Sequence, residues 1–297
     1  MASSTVPGPD FICIGMPKAG TGWLFDQLKY HPDFWMPPVK EFDYLLREVP
    51  RLKNVRKRLA LFEKRKTNGS GSTLNWANRS AGDDRDLQFL KEASGYIGKP
   101  RDVRAYGALF HHKGRLKSGD ISPSYITLSS EVIAQVAEGL PKTKVFMLVR
   151  DPVARASSQI SMAHRRGKFR ASLLENPDEL RAYLEESNTT RKEAFPTQIV
   201  ARWKAKAPKM DFRCFLFDDI VAAPETVRRE ILLFIGADPD KKSGELAADH
   251  NRKAKAAKVA LTDTAKRVLI EHFAAEIRAC GELFGDRARE WAVKYGL

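Results

Sequence analysis

Residues 10 to 28, "DFICIGMPKAGTGWLFDQL", constrain the fold more than any other stretch. The apolar run at 10 to 15 reads as a buried strand, and residues 20 to 30 carry a helical pattern that His31-Pro32 stops. Between them Gly15, Gly20 and Gly22 let the chain bend and approach a ligand closely. A strand, a glycine-rich turn and a helix in that order form a cradle for a phosphate group, because the turn's amides and the helix N-terminus all present N–H groups.

The lysine in this turn is displaced. A nucleoside-triphosphate loop reads GxxxxGK[ST], with its lysine directly after the second glycine. Here Gly15 and Gly20 have that spacing, but Thr21 follows Gly20 and the lysine is Lys18. Inside the turn, a lysine is suited to stabilise charge on a bridging oxygen as the bond to a transferred group breaks. A purely structural turn is the alternative.

Further along, strands and helices alternate. "KVFMLV", residues 144 to 149, has five consecutive apolar residues, as in the middle of a parallel sheet covered on both faces. "KSGDISPSYITL" reads as a strand end turning through Ser122-Pro123 towards a helix at 129 to 138, and "FRCFLF" as another strand. Further helices are expected at 84 to 95, 177 to 186, 190 to 207, 224 to 235 (ended by Gly236) and 262 to 284. In the last, Leu269, Phe273, Ile277, Cys280 and Phe284 recur at spacings of three and four. The pattern predicts one α/β domain over residues 1 to 297, a central parallel sheet flanked by helices, with a flexible N-terminus at 1 to 9. "TNGSGSTLN", residues 67 to 75, is a Gly/Ser/Asn loop.

A second anion site follows strand 144 to 149. Arg150 ends that strand, and Asp151-Pro152 opens a helix with Asp at the N-cap and Pro at the first helical position. Ser158 lies about 9 Å along the helix from Pro152. An arginine at the strand's carboxyl end can fold towards that face, so the pair can hold a phosphate by bidentate contact and hydroxyl donation. Two anion sites at the carboxyl ends of parallel strands suit a nucleotide with phosphates at both its 5′ and 3′ ends.

"PKAGTGWL", "KEFDYL", "GDISPSY" and "LVRDPVARASSQ", in this order, together with the late "FDDI", "ILLFIG" and "LFG…W", resemble the sulfotransferase family. That family transfers a sulfuryl group from 3′-phosphoadenosine-5′-phosphosulfate (PAPS), and the likeness spans residues 10 to 290, closer to bacterial and heparan-sulfate glycan enzymes than to small-phenol enzymes. The resemblance implies a modified P-loop fold. It also implies a 5′-phosphosulfate loop made of Pro17, Lys18, Ala19, Gly20, Thr21, Gly22 and Trp23, and 3′-phosphate binding by Arg150 and Ser158. Arg252, Lys253 and Lys255, in "DHNRKAKAAK", become candidate contacts to the 3′-phosphate; a solvated charge run is the competing reading. Trp23 reads first as a core residue beside Leu24 and Leu28, and second as an adenine stack.

Sulfuryl transfer needs a base for the acceptor's proton. By resemblance this is Glu41, with Lys40 beside it fixing the sulfuryl oxygens or holding the glutamate ionised. Asp43 stands where relatives often have histidine, and Ile121 where a lysine often precedes the Ser/Thr-Pro motif; Asp43 and Asp120 therefore compete for the role. His111 or His112 facing the acceptor pocket is a weaker alternative, while His31, His164 and His272 read as structural. Acceptor specificity is expected in residues 44 to 116 and 165 to 195.

Composition bounds the partners. The formal net charge is +14 with 51 Lys and Arg, and residues 51 to 66 hold eight of these cations and one Glu. Such a run is a solvated helix face or a site for an acidic acceptor, an anionic lipid or nucleic acid, of which nucleic acid is not the expected partner. Cys13, Cys214 and Cys280 lack CxxC spacing and read as buried thiols, and no metal motif occurs. With neither a leader nor an apolar span, a cytoplasmic protein is expected. Two rival readings are an atypical P-loop small-molecule kinase and a basic polyanion-binding protein with an inactive nucleotide pocket.

Overall fold

A computed structural model of the chain describes residues 8–68, 84–241, 246–250 and 258–297. Four strands, β1 (Phe11–Cys13), β2 (Gly119–Ile121), β3 (Lys144–Val149) and β4 (Phe212–Leu216), form one sheet in the order β2-β1-β3-β4. Every pairing is parallel: Phe11 pairs with both Gly119 and Lys144, and Val145 with Phe212. All four carboxyl ends therefore lie on one edge. The chain leaves β1 to one side for β2 and then crosses to the other for β3, which makes the end of β1 the switch point where open α/β sheets bind ligands.

Helix α1 (Thr21–Lys29) follows β1, and α2 (Lys53–Asn68), α3 (Asp84–Ser94) and α4 (Val103–Ala108) precede β2. Helix α5 (Ser130–Gly139) joins β2 to β3, while α6 (Pro152–Arg165), α7 (Pro177–Glu186) and α8 (Pro196–Lys206) lead to β4. Helices α9 (Phe217–Ala222), α10 (Pro224–Ile235), α11 (Asp263–Phe284) and α12 (Asp286–Tyr295) complete the described structure.

Burial explains the sheet. Val145 to Val149 are fully enclosed, as a run apolar on both faces requires, and they join Phe11, Ile12 and Cys13 in one continuous core. Leu269, Phe273, Ile277 and Cys280 make the buried stripe of α11, and Thr262 caps it by accepting the Ala265 amide at 3.1 Å. Cys13 and Cys280 are buried and Cys214 is half-buried; burial pushes the Cys13 and Cys214 thiols up to about 12, so they behave as inert packing groups. Among the described residues no helix is long and apolar enough to cross a membrane.

Candidate active site

The ladder between β1 and β3 continues into the glycine-rich turn. Ile14 N–H donates to Phe146 at 3.0 Å, Met16 N–H to Leu148 at 2.8 Å, and Leu148 N–H to Gly15 at 2.7 Å. Beyond Met16 the chain turns through Lys18 (φ 68°) and Gly20 (φ 95°), both left-handed, before α1 begins. Gly20 is the N-cap of α1 and supplies no side-chain acceptor, and the first turn holds no acid. Helix N-termini carry unsatisfied N–H groups and partial positive charge, so this end is built to receive an anion. Gly22 does not serve the bend expected of it, since it lies within α1; a Cβ built there meets nothing within 4 Å, which leaves open space beside the first helical turn.

Arg150 stands on the same side. Its guanidinium donates to the Lys18 carbonyl at 2.9 Å and lies 4.5 Å over the Phe217 ring. Burial draws its pKa below the ordinary value while Asp151 and Asp218 oppose that shift, and the group stays a cation at neutral pH. Asp151 caps α6, its Oδ1 accepting the amides of Val153 at 2.9 Å and Ala154 at 3.2 Å. The other oxygen accepts from Lys294 Nζ at 2.9 Å and the Tyr295 hydroxyl at 2.6 Å, so α12 holds the start of α6. Ser158 is half-buried in the second turn of α6.

Lys40 and Glu41 arrive at this edge along β2. Phe34 bridges Lys117 in parallel, Trp35 N–H donates to the Lys117 carbonyl at 2.9 Å, and Glu41 N–H to the Ile121 carbonyl at 3.2 Å. Lys40 Nζ then lies 3.4 Å from Thr21 Oγ1 and 3.3 Å from Glu41 Oε1, which brings the phosphate loop and the carboxylate to one ammonium group. Helix α2 flanks the pair: Asn54 donates to the Glu41 carbonyl at 2.8 Å and Arg58 to the Pro38 carbonyl at 3.0 Å. Glu41 (φ 61°) and Asp43 (φ 56°) are both left-handed non-glycine residues, a strain that the surrounding bonds hold in place.

The three carboxylates differ. Glu41 is exposed. Asp43 is half-buried, and burial first, then the charges of Asp120 and Glu41, raise its carboxyl to about 7; Oδ1 has no hydrogen-bond partner among the described residues. Asp120 is enclosed and accepts from Ser122 Oγ at 2.7 Å, Tyr125 at 2.8 Å and Tyr106 at 3.1 Å. Those three donors hold its carboxylate beneath Asp43 and Ser122. Its partner Ser122 in turn accepts the Asp43 amide at 3.0 Å.

Other expected residues fall elsewhere. His111 and His112 lie at the opposite, amino-terminal edge, next to Lys113, which holds Gly8 and Asp10 ahead of β1. His31, His164 and His272 each bond a backbone carbonyl, as structural histidines do. Trp23 packs half-buried on the core and its indole N–H donates to the Ala248 carbonyl, while Gln27 donates to Ala247 at 3.0 Å. Arg252, Lys253 and Lys255 lie outside the described residues. Phe217, on which both Gly20 and Arg150 rest, escaped the sequence reading; its only signal was the "FDDI" that follows a strand.

The profile of the sulfotransferase family matches residues 9–241. Among solved structures, this chain is similar to a sulfotransferase from Alicyclobacillus acidocaldarius, with a TM-score of 0.60, 20% identity, and 94% of this chain and 96% of that chain covered. It is also similar to a sulfotransferase domain from the curacin biosynthetic pathway, with a TM-score of 0.52, 14% identity, and 95% and 99% covered. At such identities the likeness concerns the fold. No curated protein matches the chain.

Proposed function

The chain belongs to the sulfotransferase family, and on that premise we propose that it transfers a sulfuryl group from PAPS to a hydroxyl or amine of an acidic acceptor, with Glu41 taking the acceptor's proton. One observation carries this reading: the Lys40 ammonium reaches both the Thr21 hydroxyl at the phosphate loop and the Glu41 carboxylate. The kinase alternative has no support from the family match.

The residues present fit the nucleotide. An uncapped helix N-terminus with open space at Gly22 suits the 5′-phosphosulfate, and Arg150 with Ser158 suits the 3′-phosphate. PAPS supplies the sulfuryl group and leaves as adenosine 3′,5′-bisphosphate. Glu41 accepts the proton from the attacking oxygen or nitrogen, which forms the new bond to sulfur as the bond from sulfur to the bridging phosphate oxygen breaks. Lys18, Lys40 and the amides at the start of α1 stabilise the charge that develops on the leaving oxygen and the sulfuryl group. Lys40 also holds Glu41 in place.

Acceptor chemistry follows from α2. This helix touches the backbone of Pro38 and Glu41, and Lys53, Arg56, Lys57 and Lys64 are exposed on it. A run of cations beside the base favours an acceptor that already carries carboxylate or sulfate groups, such as an acidic glycan.

Glu41→Gln tests the assignment. Turnover of labelled PAPS should fall by about 100-fold to 10,000-fold while adenosine bisphosphate still binds with nearly unchanged affinity. Undiminished turnover moves the role to Asp43, the second reading, which its carboxyl raised to about 7 and its unpartnered Oδ1 support. Tight, salt-sensitive polyanion binding with no transfer from PAPS would favour the inactive-pocket alternative.

A further inference from the structure

From the cluster of Glu92, His111 and His112 we infer a binding site for a divalent transition-metal ion of the zinc class, distant from the sulfuryl-transfer site. Both imidazoles direct Nε2 at one oxygen: His111 lies 3.0 Å and His112 2.8 Å from Glu92 Oε2. All three ligand atoms fall within 4.8 Å of one another. In a tetrahedral zinc site, with ligands at about 2.0–2.1 Å, neighbouring donor atoms stand about 3.3 Å apart, so a small closing or opening of these contacts accommodates an ion.

The donor set defines the ion. Two imidazole nitrogens and one carboxylate oxygen suit zinc, cobalt, nickel or copper, whereas magnesium and calcium prefer oxygen alone. Three protein donors leave a fourth position for water, and His111, with 53% of its side chain exposed, leaves the site accessible from solvent.

The site is also built rather than incidental. The two imidazoles lie with centroids 3.9 Å apart and planes tilted by 33°, and the His112 side chain, 7% exposed, packs edge-on to Phe89 at 5.9 Å and against Trp35 at 6.3 Å. Trp35 in turn donates to Asp86 of α3 at 2.9 Å, so the helix carrying Glu92 and the short turn Leu109–Lys113 carrying the histidines are held in one geometry before any ion arrives. An ion there would tie α3, in the segment before β2, to the turn that leads into the sheet. Residues 19 and 20 apart in sequence form no recognisable metal motif, which is why the sequence gives no sign of it.

Calorimetry with zinc chloride on the full chain, stripped with a chelator, tests the inference. One equivalent should bind and raise the melting temperature, magnesium should do neither, and affinity should fall at least tenfold in His111→Asn and in Glu92→Gln, both exposed enough to leave the fold intact. His112→Asn should abolish binding. Absence of stoichiometric zinc binding, or undiminished binding in the His111 and Glu92 variants, overturns the site. Adenosine bisphosphate binding should be the same with and without zinc, so the outcome is independent of the proposed transferase chemistry.

Discussion

At Gly20 the backbone is left-handed, and a methyl group added there would stand 3.1 Å from the Phe217 ring. Gly20→Ala should therefore lose about 1–2 kcal/mol of stability from the backbone strain alone. It should also weaken adenosine bisphosphate binding, because Arg150 rests on the same ring. Chemical denaturation and calorimetry measure the two effects; a variant of unchanged stability would mean that the turn does not depend on left-handed geometry. Asp43 acts on stability through its proton. Its folded pKa, about 7, lies above the ordinary carboxylate value of about 3.9, so between those values the native state keeps a proton that the unfolded chain has lost. Stability contributed by this residue consequently falls as pH rises from about 4 to about 7 and stays low above that. Such a shift corresponds to about 4 kcal/mol, which solvent screening of a half-buried group reduces to about 2 kcal/mol. Asp43→Asn should raise the melting temperature at pH 8 and leave it nearly unchanged below pH 4. Equal effects at both pH values would show that the carboxyl is ionised normally. Should Asp43 also be the base, the wild-type rate would rise to a plateau through pH 7 and the variant would lack that limb.

Helix α2 carries the argument about the acceptor. Replacing Arg56 and Lys57 by Glu reverses two charges on a surface that borders Glu41 without touching its side-chain carboxylate, so the KM for a sulfated or carboxylated acceptor should rise about tenfold or more with kcat and PAPS affinity preserved. The difference should shrink as salt is added. A neutral acceptor that responds equally would separate the effect from charge. The same helix marks where sequence reasoning reaches its limit. Its cationic composition was legible, but its seat beside Lys40 and Glu41 depends on bonds from Asn54 and Arg58 to backbone carbonyls, which have no sequence pattern. Strand β3 was legible because its apolar run admits one environment, and α7 and α10 began where expected because Pro177 and Pro224 open them, as Gly236 closes α10. Helix α12 was not, since in a ten-residue helix with five charged residues only Ala288 and Trp291 are buried. The loop, Arg150 and Glu41 are proposed on ordered motifs; Phe217 and Tyr295, which support Arg150 and Asp151, act through contacts formed only when distant elements pack.

Across the whole molecule, Arg150 is the junction. Its guanidinium joins the end of β3 to the Lys18 carbonyl of the loop and to Phe217 after β4, and the next residue, Asp151, is held by α12. Elements from both ends of the chain thus converge on the position proposed for the 3′-phosphate, and a ligand there should stabilise the fold as a unit. At about 100 times its dissociation constant, adenosine 3′,5′-bisphosphate adds about 2.7 kcal/mol by mass action, visible as a rise in melting temperature. Adenosine 5′-phosphate, lacking the 3′ group, should bind wild type more weakly and shift it less at the same concentration. Arg150→Ala should abolish that preference, because the cation that separates the two ligands is gone. It should also lower the melting temperature without ligand, since the Lys18 carbonyl loses its donor. The two effects are separable: Arg150→Lys keeps the charge but loses the planar fork over Phe217, so it should recover part of the preference and little of the intrinsic stability. An alanine variant that still prefers the bisphosphate as strongly as wild type would place the 3′-phosphate elsewhere on the carboxyl edge and remove Arg150 from the nucleotide site.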